Sequence, residues 1–510
     1  MKQNMIYSFA WLFATMFGLT ACGTDNPVLS DRNLEDTDTY FSSSDAQKQD
    51  IYYKPYVGYV GDPMPFYDPV AGDFKIMYLQ DYRPNQALTY HPIWCVSTPD
   101  AASYTSLGEL ISCGSATELD AAIGTGSTIY NDGTYYTFYT AHSPNPASTG
   151  GINEGVMMAT SKDFINWEKN REFLITGGAR YSTVDFRDPF VFKGDDNLFH
   201  MLVSTRENGK GVLAEYTSSD LLNWDSIGVF MTMMWDRFYE CPDLFKMGEW
   251  WYLIYSEQHD AVRRVQYFKG RSLEDLKSCT ANDAGIWPDN HEGFLDSRGF
   301  YAGKTASDGT DRYIWGWCAT RAGNSNIGNN DWAGNLVAHK LVQHPDGTLS
   351  MVEVPAIADL FSCEEKQSDF SLSGMDHKLF PRLGSENRIS FRVTTSNVWD
   401  KFGVSFGRGS DSDKFYSVIV NPESETLRKI NFEEEGGIDF IPNTDGYVFP
   451  TPENGVYDVK IVTDNSVVTV YINDKVAYTT RIYGTAKNCW SINSYGGDIM
   501  ISNIEVAKRS

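Results

Sequence analysis

Five stretches of the chain crowd aromatic and β-branched residues behind a Gly or Asp turn: Gly72 to Leu79, Gly133 to Thr140, Asp196 to Val203, Gly248 to Tyr255 and Asp311 to Cys318. Because the same pattern returns from position 72 to 311, the first three hundred residues repeat one supersecondary unit. A second echo follows two of these stretches at nearly equal distance: Ser161 to Trp167 reads Ser-Lys-Asp-Phe-Ile-Asn-Trp, and Ser218 to Trp224 reads Ser-Ser-Asp-Leu-Leu-Asn-Trp. Each unit therefore holds several strands joined by turns. Such residues suit a pleated, half-buried surface, and Gly and Asp suit the tight connections between strands. The pattern predicts an all-β fold, a five-bladed β-propeller over residues 51–355 in which each blade is a small antiparallel sheet. A sandwich or an irregular β fold is the competing arrangement.

The pattern changes near Ser362. Period-two alternation in Val456 to Val462 and Val467 to Ile472, with Asn473-Asp474 as a hairpin turn, predicts half-buried antiparallel strands. Residues 365–510 are expected to form a β-sandwich. Val354 to Asp369, with Pro355 and a polar run, reads as the linker.

Composition narrows the function. At 510 residues the chain exceeds one hydrophobic core, and 42% apolar and 14% aromatic content mark it as globular. The formal net charge of −25 opposes nucleic acid and anionic lipid, so a neutral partner such as a glycan fits better. Residues 1–22 read as an export signal, with Lys2 ahead of an apolar stretch from Ile6 to Leu19. Its ending, Leu19-Thr20-Ala21-Cys22, resembles a bacterial lipobox, which implies cleavage before Cys22 and lipidation there. Residues 23–50 are polar and acidic and suit a solvated tether. The expectation is a protein lipid-anchored to the bacterial outer membrane, facing outward, in possible association with a glycan-uptake complex. The seven other cysteines show neither zinc spacing nor a disulfide framework, and no metal or cofactor is expected.

Three acidic sites precede the turns of their repeats: Asp62 in Gly61-Asp62-Pro63, Asp188 in Arg187-Asp188-Pro189, and Glu240 in Glu240-Cys241-Pro242-Asp243. Thr125, Asp188 and Glu240 each lie eight residues before their turn and Asp62 ten, which places all four on equivalent innermost strands lining a central channel. Retaining glycoside hydrolysis needs one carboxylate to attack the anomeric carbon and one carboxylic acid to protonate the leaving oxygen. Asp62, held between Gly and Pro, is the expected nucleophile. Glu240, beside Cys241 and Pro242, sits where a proton is more readily retained and is the expected acid/base. Asp188, paired with Arg187, is expected to stay ionised and stabilise charge developing on the sugar ring.

In order along the chain, Gly-Thr-Gly-Ser at 124–127, Arg-Asp-Pro at 187–189, Glu-Cys-Pro-Asp-Leu-Phe at 240–245, Phe300-Tyr301-Ala302 and Trp332-Ala333-Gly334 resemble the successive motifs of glycoside hydrolase family 32, the β-fructosidases. The resemblance covers about residues 55–510 and implies the same roles for Asp62, Asp188 and Glu240. Its motif residues expected at the substrate are Thr125, Ser127, Arg187 and Tyr301. Gln80 matches a family glutamine expected to contact the fructosyl unit, and Trp94 stacks on sugar or fills the core. One motif departs: where the family reads Trp-Met-Asn-Asp-Pro-Asn, this chain reads Val60-Gly61-Asp62-Pro63-Met64-Pro65, without the two flanking amides. A surface anchor and a similarity to surface levanases of gut bacteria point to endo-action on levan, the β-2,6-fructan. The alternatives are an exo-β-fructosidase or inulinase, an arabinosidase or xylosidase on the same scaffold, and a non-catalytic glycan-binding surface lipoprotein.

Overall fold

A computed structural model describes residues 51–82, 91–233, 237–258, 263–279, 292–326, 328–361, 363–408, 415–424, 426–431, 447–448, 451–486 and 488–509. The expected export signal, Cys22 and the polar tether lie outside the described residues. Four antiparallel strands make each of five blades. The first has β1 (Tyr59–Asp68), β2 (Asp73–Asp81), β3 (Ile93–Thr98) and β4 (Thr105–Ile111). The second has β5 (Ala122–Asn131), β6 (Thr134–His142), β7 (Glu154–Ser161) and β8 (Trp167–Ile175), and the third β9 (Phe186–Lys193), β10 (Phe199–Glu207), β11 (Lys210–Ser218) and β12 (Asp225–Thr232). The fourth has β13 (Tyr239–Met247), β14 (Trp250–Glu257), β15 (Arg264–Gly270) and β16 (Glu292–Phe294), and the fifth β17 (Phe300–Ser307), β18 (Arg312–Arg321), β19 (Asn330–Gln343) and β20 (Leu349–Val352). The five aromatic stretches are the second strands, buried on both faces between neighbouring blades.

The innermost strands β1, β5, β9, β13 and β17 touch in sequence around a ring, and β1 pairs with β19 through Val60 and Gly334, joining the first blade to the last. The Ser-x-Asp-x-x-Asn-Trp echoes form the third-to-fourth-strand turns. In both, the Asp carboxylate accepts the backbone N–H groups two and three residues on, and the Trp indole donates back to the chain. A third copy, Thr98 to Tyr104, makes the same Asp100-centred turn in the first blade with Tyr104 in the place of Trp. Its altered letters hide it from a sequence comparison, but the two backbone N–H bonds to the Asp carboxylate are kept.

The second domain is a sandwich. Its strands are β21 (Cys363–Gln367), β22 (Phe370–Phe380), β23 (Glu386–Thr395), β24 (Phe402–Arg408), β25 (Tyr416–Asn421), β26 (Thr426–Asn431), β27 (Tyr447–Val448), β28 (Val456–Asp464), β29 (Val467–Ile472), β30 (Val476–Arg481) and β31 (Cys489–Lys508). The 20-residue β31 runs through both layers, pairing with β22 and β24 in its first half and with β21 and β23 in its second. Asn473 and Asp474 both have positive φ, 54° and 49°, as a tight type I′ hairpin between β29 and β30 requires. The stretch read as a linker is ordered otherwise. Pro355 begins a short helix (Pro355–Asp359), where a missing N–H costs nothing, and β21 follows as an edge strand on β31.

The two domains interlock through buried polar groups. Asp296, just before β17, accepts N–H groups of Ser297 and Thr479 at 2.6 Å each and the Thr479 hydroxyl at 2.6 Å. Its second oxygen lies 3.1 Å from Nε2 of His339, whose Nδ1 meets the Tyr471 hydroxyl at 2.9 Å. Arg481 reaches back into the propeller, donating to the carbonyls of Ala319 (2.6 Å) and Cys318 (2.9 Å) and to the Asn335 side chain (2.7 Å). Because Asp296→Ala leaves a fully buried set of donors without an acceptor, it is expected to lower unfolding stability by roughly 3–5 kcal/mol. Denaturant titration reads this directly, and a loss under about 1 kcal/mol would show that the junction is not held there.

Candidate active site

Every innermost strand carries a β-bulge at the same depth. The ladder skips between Gly61 and Met64 on β1, at Thr125 on β5, between Arg187 and Phe190 on β9, between Glu240 and Asp243 on β13, and between Tyr301 and Lys304 on β17. In four of the five, a non-glycine residue takes a left-handed backbone: Asp62 (φ 33°), Asp188 (58°), Cys241 (53°) and Ala302 (53°). Such kinks re-aim side chains and are frequent beside active sites. Asp62 and Asp188 therefore project from equivalent positions. Glu240 does not share that position. Its ladder equivalents are Gly61, Arg187 and Tyr301, one residue earlier, so the shared phase expected from counting back to the turns is off by one for Glu240. The longer Glu side chain spans the difference.

The three acids have contrasting surroundings. Asp62 accepts the Trp317 indole N–H at 2.9 Å on one oxygen and the Thr125 hydroxyl at 3.3 Å on the other. Burial and then the Asp188 charge lift its carboxyl to about 6, against the pull of Trp317, Thr125 and Lys304. Lys304, buried in the same channel wall, donates to the Gly126 carbonyl at 2.7 Å. Asp188 is fixed by backbone: it accepts the Cys241 N–H at 2.8 Å, while its own N–H donates to Thr140 Oγ1 at 2.8 Å. Glu240 accepts from the Tyr301 hydroxyl at 2.7 Å, Gln258 at 3.1 Å and Arg187 at 3.3 Å, and keeps 17% of its side chain exposed to the channel. Burial lifts its carboxyl to about 7; Asp188 and Asp62 add to the rise, while Arg187 and Tyr301 oppose it. Arg187 itself is held by Glu154 at 3.1 Å and Asp185 at 3.0 Å, with its guanidinium over the Phe238 ring.

The structure sorts the residues expected at the substrate. Thr125, Arg187 and Tyr301 sit among the acids and bond to them. Ser127 does not: its hydroxyl donates to the Pro189 carbonyl and accepts the Val191 N–H, tying the second blade to the third. Gln80 is fully buried behind the wall, its amide donating to the Val57 carbonyl. Trp94 lies on the third strand of its blade, opposite Tyr78, and packs against the main propeller core. Of the two places expected of Trp94, the structure shows the one against the core, and it ties Ser127 and Gln80 to backbone carbonyls rather than to the acids. Motif position locates a residue on a strand, but the pleat decides which face it occupies.

Residues that sequence reasoning missed are Trp317, Thr140, Glu154, Gln258, Arg263 and Lys304, which reach the site from neighbouring strands. The altered first motif also has a physical cause. A Cβ at Gly61 would lie 2.3 Å from the Trp332 ring, so that ring fills the space a side chain at position 61 would need. Trp332 in turn stacks on His91, ring centroids 4.3 Å apart.

Two carboxyls raised by burial, gathered with a third at the bulges of the innermost strands, are equipment for acid/base cleavage of glycosidic bonds, and on this scaffold they define a β-propeller glycoside hydrolase. The description "Glycosyl hydrolases family 32 N-terminal domain" matches residues 52–355, and "GH32, BT1760-like, C-terminal domain" matches residues 348–506. The chain belongs to glycoside hydrolase family 32. The arabinosidase or xylosidase alternative falls with that assignment. Sucrose-6-phosphate hydrolase of Escherichia coli is 24% identical over 70% of this chain and 73% of that protein. Among solved structures, sucrose-6-phosphate hydrolase from Lactobacillus gasseri superposes with a TM-score of 0.72 at 18% identity, covering 95% of this chain and 96% of that one. Fructan 1-exohydrolase IIa from Cichorium intybus gives 0.72 at 16% identity, covering 91% and 97%.

Proposed function

We propose that this chain is a retaining β-fructosidase that cuts levan internally at the bacterial surface. Asp62 attacks the anomeric carbon of the fructosyl unit, Glu240 protonates the departing oxygen and later draws a proton from the incoming water, and Asp188 steadies the ring as positive charge grows on it. The observation that carries this reading is the place of the two carboxyls, both at the bulges of innermost strands and each among a different set of donors. Asp62 is gripped on both oxygens by Trp317 and Thr125, as an attacking group must be aimed, whereas Glu240, lifted by burial to about 7, holds a proton to give near neutral pH. Asp188 accepts the Cys241 N–H and donates its own N–H to Thr140, which fixes its place and suits an electrostatic role.

The choice of an internal bond in levan follows from place rather than from the channel. An enzyme anchored through Cys22 meets polymer outside the cell and gains by shortening it before uptake. The relatives named above are enzymes of sucrose 6-phosphate and of fructan ends, which keeps exo-action as the alternative. A time course on levan, inulin and sucrose, with products separated by size and Glu240→Ala alongside, decides it. A ladder of oligosaccharides from levan that the variant cannot make is the expected result. Fructose alone from the first minutes would replace endo- by exo-action, and inertness towards every fructan would leave a glycan-binding surface protein.

A further inference from the structure

Arg263 stands immediately before β15 in the fourth blade and reaches across to the fifth. Its guanidinium carbon lies 3.7 Å from the centroid of the Tyr301 ring and 5.5 Å from that of Trp317. At 3.7 Å the guanidinium carbon sits over the ring face, and an aromatic face offers no lone-pair acceptor that would use up its five N–H donors. Both rings beneath it are already committed: the Tyr301 hydroxyl donates to Glu240 and the Trp317 indole to Asp62. The contrast with Arg187 is direct. Arg187 spends its donors on Glu154, Asp185 and Glu240, whereas the contacts of Arg263 among the described residues are the two rings. A half-buried, permanently charged donor fork therefore lies one ring away from Glu240, on the face of Tyr301, and no hydrogen bond to the described residues takes up its donors.

We infer that Arg263 binds hydroxyl groups of the departing sugar and so selects the leaving group. The assignment rests on the β-fructosidase reading. The side is set by distance: Arg263 lies closer to the ring that serves Glu240, which must touch the glycosidic oxygen, than to the ring that serves Asp62, which must lie under the fructosyl unit being transferred. Vicinal hydroxyls on the departing residue offer the paired acceptors that a guanidinium fork matches and a Lys ammonium does not.

The test compares two leaving groups that need the same proton: a fructosyl residue, in β-2,6-linked fructose oligosaccharides, and methanol, in methyl β-D-fructofuranoside. With full-length protein, Arg263→Ala is expected to lower kcat/KM for the oligosaccharides by ~10- to 100-fold, mainly through KM, with a several-fold smaller effect on the methyl glycoside and both limbs of the pH profile unmoved. Arg263→Lys should fall between, which separates loss of the fork from loss of the charge. An equal loss on both substrates, or a displaced basic limb, would make Arg263 a positioning residue acting through Tyr301 on Glu240, and an unchanged enzyme would remove it from the reaction; either overturns the assignment. A wild-type protein inert on every β-fructoside sinks the parent reading instead, which distinguishes the two failures.

Discussion

Asp62→Asn should lower kcat by ~10⁴-fold or more on every fructoside while leaving the protein as stable as before or more so. The loss follows because the amide cannot form the covalent bond to the anomeric carbon. The stability gain follows from the same environment that tunes the acid. With the folded carboxyl at about 6, above its ordinary value of 3.8, its charged form is disfavoured in the native state. The penalty is absent below the ordinary carboxylate range, grows as pH climbs from about 4 to 6, and is complete at pH 7. Replacing the charge by a neutral isostere removes it, a gain of roughly 1–3 kcal/mol. The Trp317 N–H still finds an oxygen, and the Thr125 hydroxyl can turn to accept from the new amide. Turnover and denaturation midpoint measured on one preparation test both halves. Residual activity within tenfold of wild type would take Asp62 out of the chemistry.

Glu240→Gln is expected to cost ~10²- to 10⁴-fold in kcat on sugar leaving groups and to abolish the basic limb of the pH profile. In the wild type, kcat/KM should rise as Asp62 ionises near 6 and fall as Glu240 loses its proton near 7, giving a narrow bell centred between the two. Removing the titrating group at position 240 leaves the rising limb alone. Should the variant keep a falling limb near 7, another acid delivers the proton and the role assigned to Glu240 is wrong.

The fold was legible because turns and periodicity are local. Gly and Asp at 72, 133, 196, 248 and 311 close hairpins whatever surrounds them, and the aromatic strands behind them declare burial on both faces. Asp62, Asp188 and Glu240 were legible through their place in the repeat. The one-residue offset of Glu240 was not, because a bulge sets two residues against one and no letter of the sequence marks where. Ser127 and Gln80 sit near the motifs in sequence, yet their side chains bond to backbone carbonyls of the walls, and Trp94 packs on the core. Trp317 reaches Asp62, and Arg263 reaches the ring that serves Glu240, across a blade boundary, and nothing local to either residue announces its neighbour.

The bridge between Val60 and Gly334 bears on the birth of the molecule. Each blade is made of consecutive hairpins and can form while the next is still being synthesised, but the ring closes only when β19 arrives to meet β1. Until then Asp62, near the start of the chain, has neither Trp317 to orient it nor a fixed distance to Glu240. A nascent chain thus carries all three acids without a working channel. Competence waits on the last blade, however early the acids themselves are made.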